Sequence, residues 1–317
     1  AAASRGLEGF VRSLAKELGR SGGRANLLTV ETGAAERVAG PLRYLLSPRS
    51  AYVTGQPLYV ETGPEEPPGV GRQRRALRQK TAIVTGAARG IGRAAARQLA
   101  QEGATVLCVD LPGTEALSEV DDEFGGIPVE LDISAESAPE ALAERADSRG
   151  GVDIVVHNAG ITRDRTLAKM TREAWDSSLE VNIEAPVRVT DELLERDLID
   201  DWGRILCMSS VAGIAGNVGQ TNYATGKAGF IGMVRHLSER LRREHITVNA
   251  VAPGFIETRM TEEMPVVVRE VARRMNALNQ GGRPGDVANA IAFLARPHAQ
   301  GINGQVLRVC GGALIGA

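Results

Sequence analysis

Residues 81–93 read TAIVTGAARGIGR, and this stretch sets the architecture expected of the chain. The apolar run Thr81–Thr85 predicts a buried strand, and a helix is predicted to follow the turn. In the turn, Gly86, Gly90 and Gly92 allow the backbone to approach a pyrophosphate closely, and the helix N-terminus adds free N–H groups and a positive dipole. A glycine-rich turn between a strand and a helix predicts a dinucleotide-binding loop.

After residue 80, short runs rich in Val, Ile and Leu alternate with longer amphipathic stretches. This alternation is typical of a parallel sheet that is covered by helices on both faces. The predicted elements are Ala82–Thr85, Ile91–Glu102, Thr105–Asp110, Pro128–Leu131, Ala135–Arg149, Ile154–His157, Thr171–Leu198, Arg204–Ser209, Tyr223–Arg243, Thr247–Val251, Asp286–Leu294 and Gln305–Val309. We therefore predict an α/β fold built on a Rossmann-type, doubly wound parallel sheet.

The composition excludes several classes of protein. The 317 residues include 37 Lys and Arg against 39 Asp and Glu, and the net charge of −2 gives no indication of a nucleic-acid partner. No apolar run reaches the roughly 18 residues of a membrane span. Cys108, Cys207 and Cys310 are odd in number and far apart, which favours neither a disulfide framework nor a zinc site and indicates a reducing cytoplasm.

The first sixty residues are related to the end of the chain. Two alignments show this: Gly6–Leu18 matches Gly229–Leu241 at six of thirteen positions, and Val53–Val60 matches Ile302–Val309 at four of eight. The first copy lacks 26 positions after Gly33, where the second copy has Phe255–Pro284. We predict that residues 1–60 are the C-terminal remnant of a degenerate Rossmann/flavodoxin-like domain that begins outside this sequence. Chance similarity between two amphipathic helices is the alternative.

A stretch rich in Pro, Gly and charge separates the two copies. Residues 61–80 read ETGPEEPPGVGRQRRALRQK, which has too little apolar content to pack as an element of its own. We predict a linker at residues 61–79 and one main domain at residues 80–317.

Acidic residues end two of the predicted strands. Asp110 stands eighteen residues after Gly92, where a carboxylate accepts hydrogen bonds from both adenosine ribose hydroxyls and repels a 2′-phosphate, so NAD(H) is favoured. Arg89 keeps NADP(H) open, because a guanidinium beside the loop tolerates a phosphate. A solvated aspartate is the alternative at this position. Asp132 either binds the adenine edge or caps the helix that follows.

Tyr223 and Lys227 stand four residues apart on a predicted helix, so the phenol and the ammonium share one face. Free tyrosine titrates near pH 10, and a neighbouring positive charge favours the phenolate, which brings Tyr223 closer to a working acid or base. Ser210 follows an apolar strand at its carboxyl end, where open parallel sheets bind their ligands. These residues form the densest candidate site, and a surface pair on an amphipathic helix is the alternative.

Several short motifs occur in a fixed order from about Lys80 to the C-terminus. They are Thr85-Gly86-x-x-x-Gly90-x-Gly92, Asn158-Ala159-Gly160, Asn182, Ser210, Tyr223-x-x-x-Lys227 and Pro253-Gly254. Together they resemble the classical short-chain dehydrogenase/reductase family. The stretches around Asn158, Tyr223, Asn249 and Gly304 are similar, more narrowly, to the 3-oxoacyl-[acyl-carrier-protein] reductases. The remnant and the ending Val309–Ala317 resemble the high-molecular-weight branch of that group, which carries an extra flavodoxin-like N-terminal domain.

The resemblance implies a role for each matching residue. Tyr223 donates a proton to a ketone oxygen that Ser210 holds, Asn182 anchors a water, and Lys227 binds the nicotinamide ribose and lowers the pKa of Tyr223. The cofactor-binding set is Gly86, Arg89, Gly90, Ile91, Gly92, Asp110, Asp132, Ile133, Asn158, Ala159, Gly160, Tyr223, Lys227, Pro253, Gly254, Ile256 and Thr258. Ile256 and Thr258 match positions that contact the carboxamide, and Phe255–Pro284 would be a mobile lid. No metal site is expected, and His157 is predicted to be a packed residue at the end of a strand.

The implied reaction is the NADH-dependent reduction of 3-oxoacyl thioesters to 3-hydroxyacyl thioesters in fatty-acid metabolism. Carrier-protein reductases present basic residues just before two of their strands. Here Asp200 and Asp201 precede the predicted strand that starts at Gly203-Arg204, and Glu244 follows Arg242-Arg243 before the next strand. CoA therefore competes with acyl carrier protein as the acyl handle. A 3-hydroxyacyl-CoA dehydrogenase or another short-chain carbonyl reductase would use the same residues, and a non-catalytic nucleotide-binding scaffold is the alternative from another class.

The resemblance also implies an oligomer. We expect a homodimer through Thr171–Leu198 and Tyr223–Arg243 in the cytoplasm, with a tetramer as the alternative. The remnant should be catalytically silent, because it lacks the lid and has Ser4 where Lys227 stands.

Overall fold

The computed structural model describes residues 2–63, 75–262 and 264–313, and a seven-stranded parallel sheet lies at its centre. The strands in these ranges are β1 (Leu27–Val30), β2 (Pro57–Val60), β3 (Thr81–Thr85), β4 (Thr105–Asp110), β5 (Ile127–Glu130), β6 (Val152–His157), β7 (Ile199–Met208), β8 (Thr247–Pro253) and β9 (Val306–Val309). The main sheet has the order β5-β4-β3-β6-β7-β8-β9, and β1 and β2 form a separate parallel pair. The chain order reverses between β3 and β6, and such a switch point opens a crevice at the carboxyl ends of the strands.

Helices cover both faces of the main sheet. The α-helices of the described residues are α1 (Ala2–Gly19), α2 (Ala39–Leu46), α3 (Gly90–Gln101), α4 (Glu115–Ser118), α5 (Val120–Phe124), α6 (Ala138–Asp147), α7 (Arg172–Leu179), α8 (Ala185–Glu195), α9 (Val211–Ala215), α10 (Thr221–Arg240), α11 (Arg259–Glu262), α12 (Val266–Arg274) and α13 (Pro284–Ala295). A π-helical turn, Glu180–Glu184, joins α7 to α8. None of the helices in the described ranges is long and apolar enough to cross a membrane.

Two hydrophobic clusters lie on opposite sides of the main sheet. Val84 of β3 faces the cluster that includes α3 and α13, whereas its neighbour Ile83 faces the cluster that includes α6, α8 and α10. Successive side chains of a strand point to opposite faces, so a sheet that is covered twice needs apolar residues at every position. This explains the continuous apolar runs of the strands and confirms the predicted α/β fold.

Two predicted elements differ most from the structure in their bounds. The single helix predicted for Thr171–Leu198 is divided, because the π-helical turn interrupts it and α8 ends at Glu195. Pro186 lies in the first turn of α8, where its missing N–H breaks the α-helical pattern at no cost to that helix. The strand predicted for Arg204–Ser209 begins earlier, at Ile199.

The pair β1–β2 repeats the hydrogen bonds of the pair β8–β9. In both pairs an asparagine of the first strand region donates through Nδ2 to a main-chain carbonyl and accepts at Oδ1 from the N–H of a glutamine. The matching bonds are Asn26 to Val53 and Gln56 to Asn26 in the first pair, and Asn249 to Ile302 and Gln305 to Asn249 in the second. The main-chain bond from Leu27 to Gln56 likewise matches that from Ala250 to Gln305. The assignment of residues 1–60 as a domain remnant stays a prediction that these matching bonds favour.

The two copies face each other across an approximate two-fold axis. Tyr44 and Phe293 occupy equivalent positions in the alignment, and their rings stack with centroids 4.1 Å apart at an angle of 1°. The N–H of Glu61 donates to the Gly301 carbonyl, and in the near-reciprocal bond the N–H of Gly311 donates to the Tyr52 carbonyl. Contact between equivalent positions is the property of an isologous, two-fold interface. Residues 2–63 therefore cover the α13 and β9 face of the main domain.

Buried ion pairs add to this contact. Glu102 at the end of α3 lies between Arg49 and Arg296, with oxygen to nitrogen distances of 2.6 Å and 2.5 Å. In the predicted linker, residues 64–74 lie outside the described ranges. Leu77, also in the predicted linker, is buried in the core, so that part of the segment packs against the main domain.

Candidate active site

The glycine-rich loop lies at the carboxyl end of β3 and leads into α3. Gly90 has a φ of +60°, and an added Cβ there would meet open space, whereas a Cβ on Gly92 would lie 2.0 Å from the Gly86 carbonyl oxygen. Gly90 is therefore needed for its conformation and Gly92 for close packing. Because α3 begins at Gly90, its first N–H groups have no partner within the helix and point toward the crevice. Arg89 is exposed beside them, and Ile91 is half-buried.

Hydrogen bonds connect the carboxyl ends of β3 and β6 next to the loop. The Thr85 hydroxyl accepts hydrogen bonds from the N–H groups of Asn158 and Ala159, both at 3.0 Å. The Asn158 amide donates to the carbonyls of Thr85 and Gly86. These bonds show that Asn158 holds the main chain of the loop in position. Thr85 itself was not among the predicted site residues, although its place at the end of β3 indicated this role.

Asp110 at the end of β4 holds the loop and faces the crevice. Its carboxylate accepts the N–H of Ala88 at 2.8 Å and the N–H of Leu111 at 2.9 Å. Arg93 in α3 donates to the Ala88 carbonyl at 3.0 Å and also pairs with acidic residues of the neighbouring helices. Arg93 was missed by the sequence analysis, because its partners are brought to it by the fold.

Asp132 and Ile133 follow β5 at the same edge of the sheet. The Asp132 carboxylate accepts hydrogen bonds from the N–H and the hydroxyl of Ser134, at 2.9 Å and 2.6 Å. The next helix, α6, begins at Ala138, so Asp132 closes a local turn and does not cap that helix. The Ile133 side chain is buried in the core.

Asn182 lies in the π-helical turn and is fully buried. Its Nδ2 donates to the carbonyls of Ile161 and Ser178, both at 2.8 Å, while its Oδ1 accepts no hydrogen bond among the described residues. A Cβ on Gly160 would lie 2.8 Å from this Oδ1 and 3.0 Å from Nζ of Lys227. A buried acceptor beside an amine is a place where a water finds the partners it needs.

Ser210, Tyr223 and Lys227 come together as predicted. Ser210 is the N-terminal cap of α9, and it hydrogen bonds to the phenol of Tyr223 in α10. Nζ of Lys227 lies 5.6 Å from the centroid of the Tyr223 ring. The Ser209 hydroxyl donates to the Lys227 carbonyl at 2.7 Å and so fixes α10 against the end of β7. The surface-pair alternative is excluded, because the Lys227 side chain is 2% exposed.

Burial disfavours the charged forms of both ionisable groups. It raises the pKa of Tyr223 above its ordinary value, and the hydrogen bond to Ser210 is the contact that lowers it. Burial also lowers the pKa of Lys227 from 10.5 to about 7. In the chain by itself burial is the largest influence on the pKa of Tyr223, and the lowering of that pKa by Lys227 stays a prediction.

The last predicted residues follow β8. Pro253 ends the strand, and a Cβ on Gly254 would lie 2.7 Å from Cβ of Cys310. The Ile256 side chain belongs to the core, and the half-buried Thr258 donates its N–H to the Thr261 hydroxyl at 2.9 Å. Any contact from Ile256 to a carboxamide would therefore come from its main chain. The predicted lid contains α11 and α12.

His157 is a packed strand end. Its Nε2 lies 2.7 Å from the Thr190 hydroxyl, and burial lowers its pKa to about 4. Among the described residues, no group of His, Cys, Asp and Glu is arranged to hold a metal ion.

The carboxyl edge of the sheet carries groups that suit the parts of a dinucleotide. Gly90 opens onto free space at a helix N-terminus, which suits a pyrophosphate, and Asp110 lies at the neighbouring strand end, which suits a ribose. The unpartnered Oδ1 of Asn182 marks the far end of the same edge. The predicted cofactor-binding residues therefore lie along one edge of the sheet, except that the side chains of Ile133 and Ile256 point into the core.

Most of the chain is similar to known proteins. Residues 86–313 match the family model described as "Enoyl-(Acyl carrier protein) reductase". The chain is 41% identical over 245 residues to the 3-oxoacyl-[acyl-carrier-protein] reductase FabG of Thermotoga maritima, covering 75% of this chain and 99% of that protein. It is 41% identical over 239 residues to the FabG reductase of Escherichia coli, covering 74% of this chain and 96% of that protein.

A solved structure is also similar. The crystal structure of the angucycline C-6 ketoreductase LanV with bound NADP shares 31% sequence identity and a TM-score of 0.71, covering 76% of this chain and 98% of that one.

Replacing Lys227 by Met should stabilise the fold in a pH-dependent way. The folded-state pKa of about 7 lies below the ordinary 10.5, so the cost of burying Lys227 is full below about pH 7 and disappears as the pH rises to about 10.5. We expect a gain in unfolding free energy on the order of 4 kcal/mol at pH 7 that shrinks toward zero by about pH 10. Urea unfolding at several pH values measures it. The exposed Lys169→Met variant is the control, and a gain that does not depend on pH would contradict the result.

Proposed function

The chain belongs to the short-chain dehydrogenase/reductase family, and from this premise we propose that it reduces the 3-oxo group of acyl thioesters to a 3-hydroxyl group in fatty-acid biosynthesis. The observation that carries the proposal is the placement of the half-buried Ser210 and Tyr223 beside the buried Lys227 at the carboxyl edge of the sheet. Similarity to carrier-protein reductases at about 40% identity supports the substrate class.

A bound nicotinamide dinucleotide supplies the hydride that adds to the ketone carbon. Ser210 donates a hydrogen bond to the ketone oxygen and orients it toward the phenol. Tyr223 transfers its proton to that oxygen as negative charge develops there, and the product leaves with a hydroxyl group. Because burial keeps the pKa of Tyr223 high, the phenol is protonated and ready to donate at neutral pH.

Lys227 and Asn182 return the proton. Lys227 has a pKa of about 7, so its amine exchanges a proton readily near neutral pH. Nζ of Lys227 and Oδ1 of Asn182 face the same point above Gly160, and a water held there would link the phenolate to solvent. In this arrangement Asn182 holds the water, and Lys227 stabilises the phenolate after proton transfer.

The lid provides an apolar surface for the acyl chain. In α12, Val266, Val267 and Val271 are exposed, and large apolar side chains of this kind need a partner. A fatty acyl chain fits such a surface, and closure of α12 over the crevice would exclude water from the reaction.

The surface supports CoA as an acyl handle alongside acyl carrier protein. Arg242 is one of the basic residues next to β8, and its guanidinium is paired with Glu61 at 2.6 Å. Near Arg242 in the sequence, the ring of His245 stacks on the ring of Trp202, with centroids 4.9 Å apart. An acidic carrier helix therefore meets fewer free positive charges here, which weakens its electrostatic attraction to this surface.

The structure around Asp110 supports a preference for NADH. The carboxylate lies at the ribose end of the crevice, and Arg93 is engaged by Glu119 and Glu123, so it is not available to neutralise a 2′-phosphate. Arg89 is exposed at the same end and is the residue through which NADPH would be tolerated.

Two other functions use the same fold. A 3-hydroxyacyl-CoA dehydrogenase is the reverse reaction on the same residues, and a nucleotide-binding scaffold would bind the dinucleotide without turnover. The buried amine of Lys227 beside Tyr223 argues against a scaffold, since burying an amine costs stability and such groups cluster at catalytic sites. A cytoplasmic location stays a prediction, which the free, buried thiols of Cys108, Cys207 and Cys310 support.

Tyr223→Phe should abolish the reduction. The variant keeps the ring but loses the donated proton, and we expect the rate of NADH oxidation with acetoacetyl-CoA or acetoacetyl carrier protein to fall by about 10³-fold. Tyr44→Phe, which removes a buried hydroxyl far from Tyr223, is the control and should keep its rate. Equal rates for Tyr223→Phe and the unsubstituted protein would refute the mechanism, and a lack of turnover by the unsubstituted protein with either thioester would favour the scaffold.

Asp110→Ala should narrow or reverse a preference for NADH. Removal of the carboxylate eliminates both its ribose hydrogen bonds and its repulsion of a 2′-phosphate, so we expect the ratio of kcat/KM for NADH over NADPH to fall at least tenfold. Steady-state rates with each cofactor measure this ratio. Tighter binding of NADPH than NADH by the unsubstituted protein would contradict the proposal.

The protein should assemble as a homodimer through α7 and α10. Residues 2–63 already occupy the α13 face, which leaves one helical face for a partner. Gly232 on α10 faces open space within the chain, so Gly232→Glu should keep the fold and yield monomers in sedimentation experiments. Gly9→Glu, at the equivalent position of α1 and equally open, should remain dimeric. A tetramer for the unsubstituted protein would refute this assembly.

A further inference from the structure

One phenol from the N-terminal segment joins both ends of the lid. The hydroxyl of Tyr52 donates toward the carbonyl oxygens of Gln280 at 3.0 Å and Phe255 at 3.3 Å. It also accepts a hydrogen bond from Nδ2 of Asn276 at 3.2 Å. Phe255 begins the predicted lid, and Asn276 and Gln280 lie in its returning arm. A side chain far away in sequence therefore lies at the neck of the lid, which is the place where the chain after Phe255 meets the chain before Gly282.

The ring of Tyr52 fills a slot made by two glycines. A Cβ on Gly282 would lie 2.4 Å from the ring, and a Cβ on Gly311 would lie 2.6 Å from it. Gly282 pairs with Ile256 across the neck, so the ring packs directly on the place where the two arms of the lid meet. Tyr52 is 1% exposed, and the slot leaves its ring little freedom.

Main-chain bonds extend this contact along the returning arm. The N–H of Gly311 donates to the Tyr52 carbonyl, and the N–H of Leu278 donates to the Gly311 carbonyl. At the end of α1, a Cβ on Gly19 would lie 2.3 Å from the Ala277 carbonyl oxygen. The N-terminal segment thus contacts the returning arm at several points, while the exposed valines of α12 lie away from this contact.

The contact is not part of the repeated architecture. In the alignment of the two copies, Tyr52 corresponds to Gly301, and the first copy has no lid. The repeated hydrogen bonds of the two strand pairs do not involve the Tyr52 side chain. Tyr52 therefore serves the lid of the other copy and not the packing that both copies share.

Burial keeps this phenol in its donating form. The pKa of Tyr52 is raised well above its ordinary value, mainly by loss of solvent. The two carbonyl acceptors consequently retain their donor at every pH at which the protein works.

We propose that Tyr52 is a positioning residue that ties the two arms of the lid together and so sets the resting position from which α12 closes over the acyl chain. The inference rests on the proposed function, because it is the acyl thioester that makes the position of the lid matter for turnover. In this arrangement the N-terminal segment, although it carries none of the reacting groups, controls how well substrate is held.

Tyr52→Phe tests the proposal because it keeps the ring in its slot and removes only the hydroxyl. Both carbonyls retain a second donor, since Gly282 N–H reaches Phe255 at 3.0 Å and Asn276 Nδ2 reaches Gln280 at 2.7 Å, so the fold should survive. We expect KM for a long-chain 3-oxoacyl-CoA to rise about fivefold while kcat changes less than twofold, as the loss of one hydrogen bond would cause. Amide exchange at Leu278 and Gly282 should accelerate by a similar factor, while exchange in β6 stays unchanged.

Tyr44→Phe is the matched control. Its hydroxyl is also buried in the N-terminal segment but has no hydrogen-bond partner among the described residues. It should leave KM and lid exchange unchanged. If Tyr52→Phe and Tyr44→Phe behave alike, or if Tyr52→Phe accelerates exchange across the whole protein, Tyr52 has only a structural role and the proposal fails. Exchange is measured without substrate, so a failure of the proposed reaction would appear separately, as absence of turnover by the unsubstituted protein.

Discussion

The contact between the half-buried Tyr223 and the buried Lys227 is the constraint on which the rest of the structure depends. Neither group charges easily once it is removed from water, and the pKa values of the two shift in opposite directions for this one reason. The protein holds them in place through Ser209, which bonds the main chain of α10 at Lys227, and through Asn182, whose buried oxygen faces the amine. Burial brings the pKa of Lys227 to about 7, so its amine exchanges a proton near neutral pH, which an exposed lysine would do poorly.

The crevice beside this pair uses main-chain groups far more than side chains. Thr85, Asn158 and Asp110 direct their polar atoms to the backbone of the loop and of the strand ends, and so they fix the path of the chain around the place where a dinucleotide fits. Glycines at the closest approaches leave no room for side chains. The loop is therefore rigid before anything binds, and rigid N–H groups at a helix N-terminus are effective ligands for a pyrophosphate because no ordering is needed on binding.

The fold and the central site could be predicted because their signals are local. Apolar runs of strand length, a glycine-rich turn in the right context and an i, i+4 pair are all properties of short stretches, and the structure places β3, α3, Tyr223 and Lys227 accordingly. The division of the long helix was missed, since the π-helical turn that carries Asn182 depends on buried contacts from other elements. The burial that raises the pKa of Tyr223 could not be predicted, because burial is a property of the folded chain that spacing along a helix does not contain. Arg93 and Tyr52 were missed for the same reason, as their partners lie far away in sequence.

The two aligned segments share some contacts and differ in others. Both copies keep the asparagine that ties one strand to the next, as Asn26 and Asn249 do with nearly identical bonds, since losing that amide would leave buried main-chain groups without partners. Where no such penalty applies, the copies differ: the first has no lid and carries Tyr52 at the position of Gly301. Equivalent positions that meet at the approximate two-fold axis, Tyr44 and Phe293, must remain mutually compatible, whereas positions off the axis are free to specialise. The N-terminal segment thus packs on the main domain through equivalent positions, and a single tyrosine off the axis connects it to the lid beside the candidate active site.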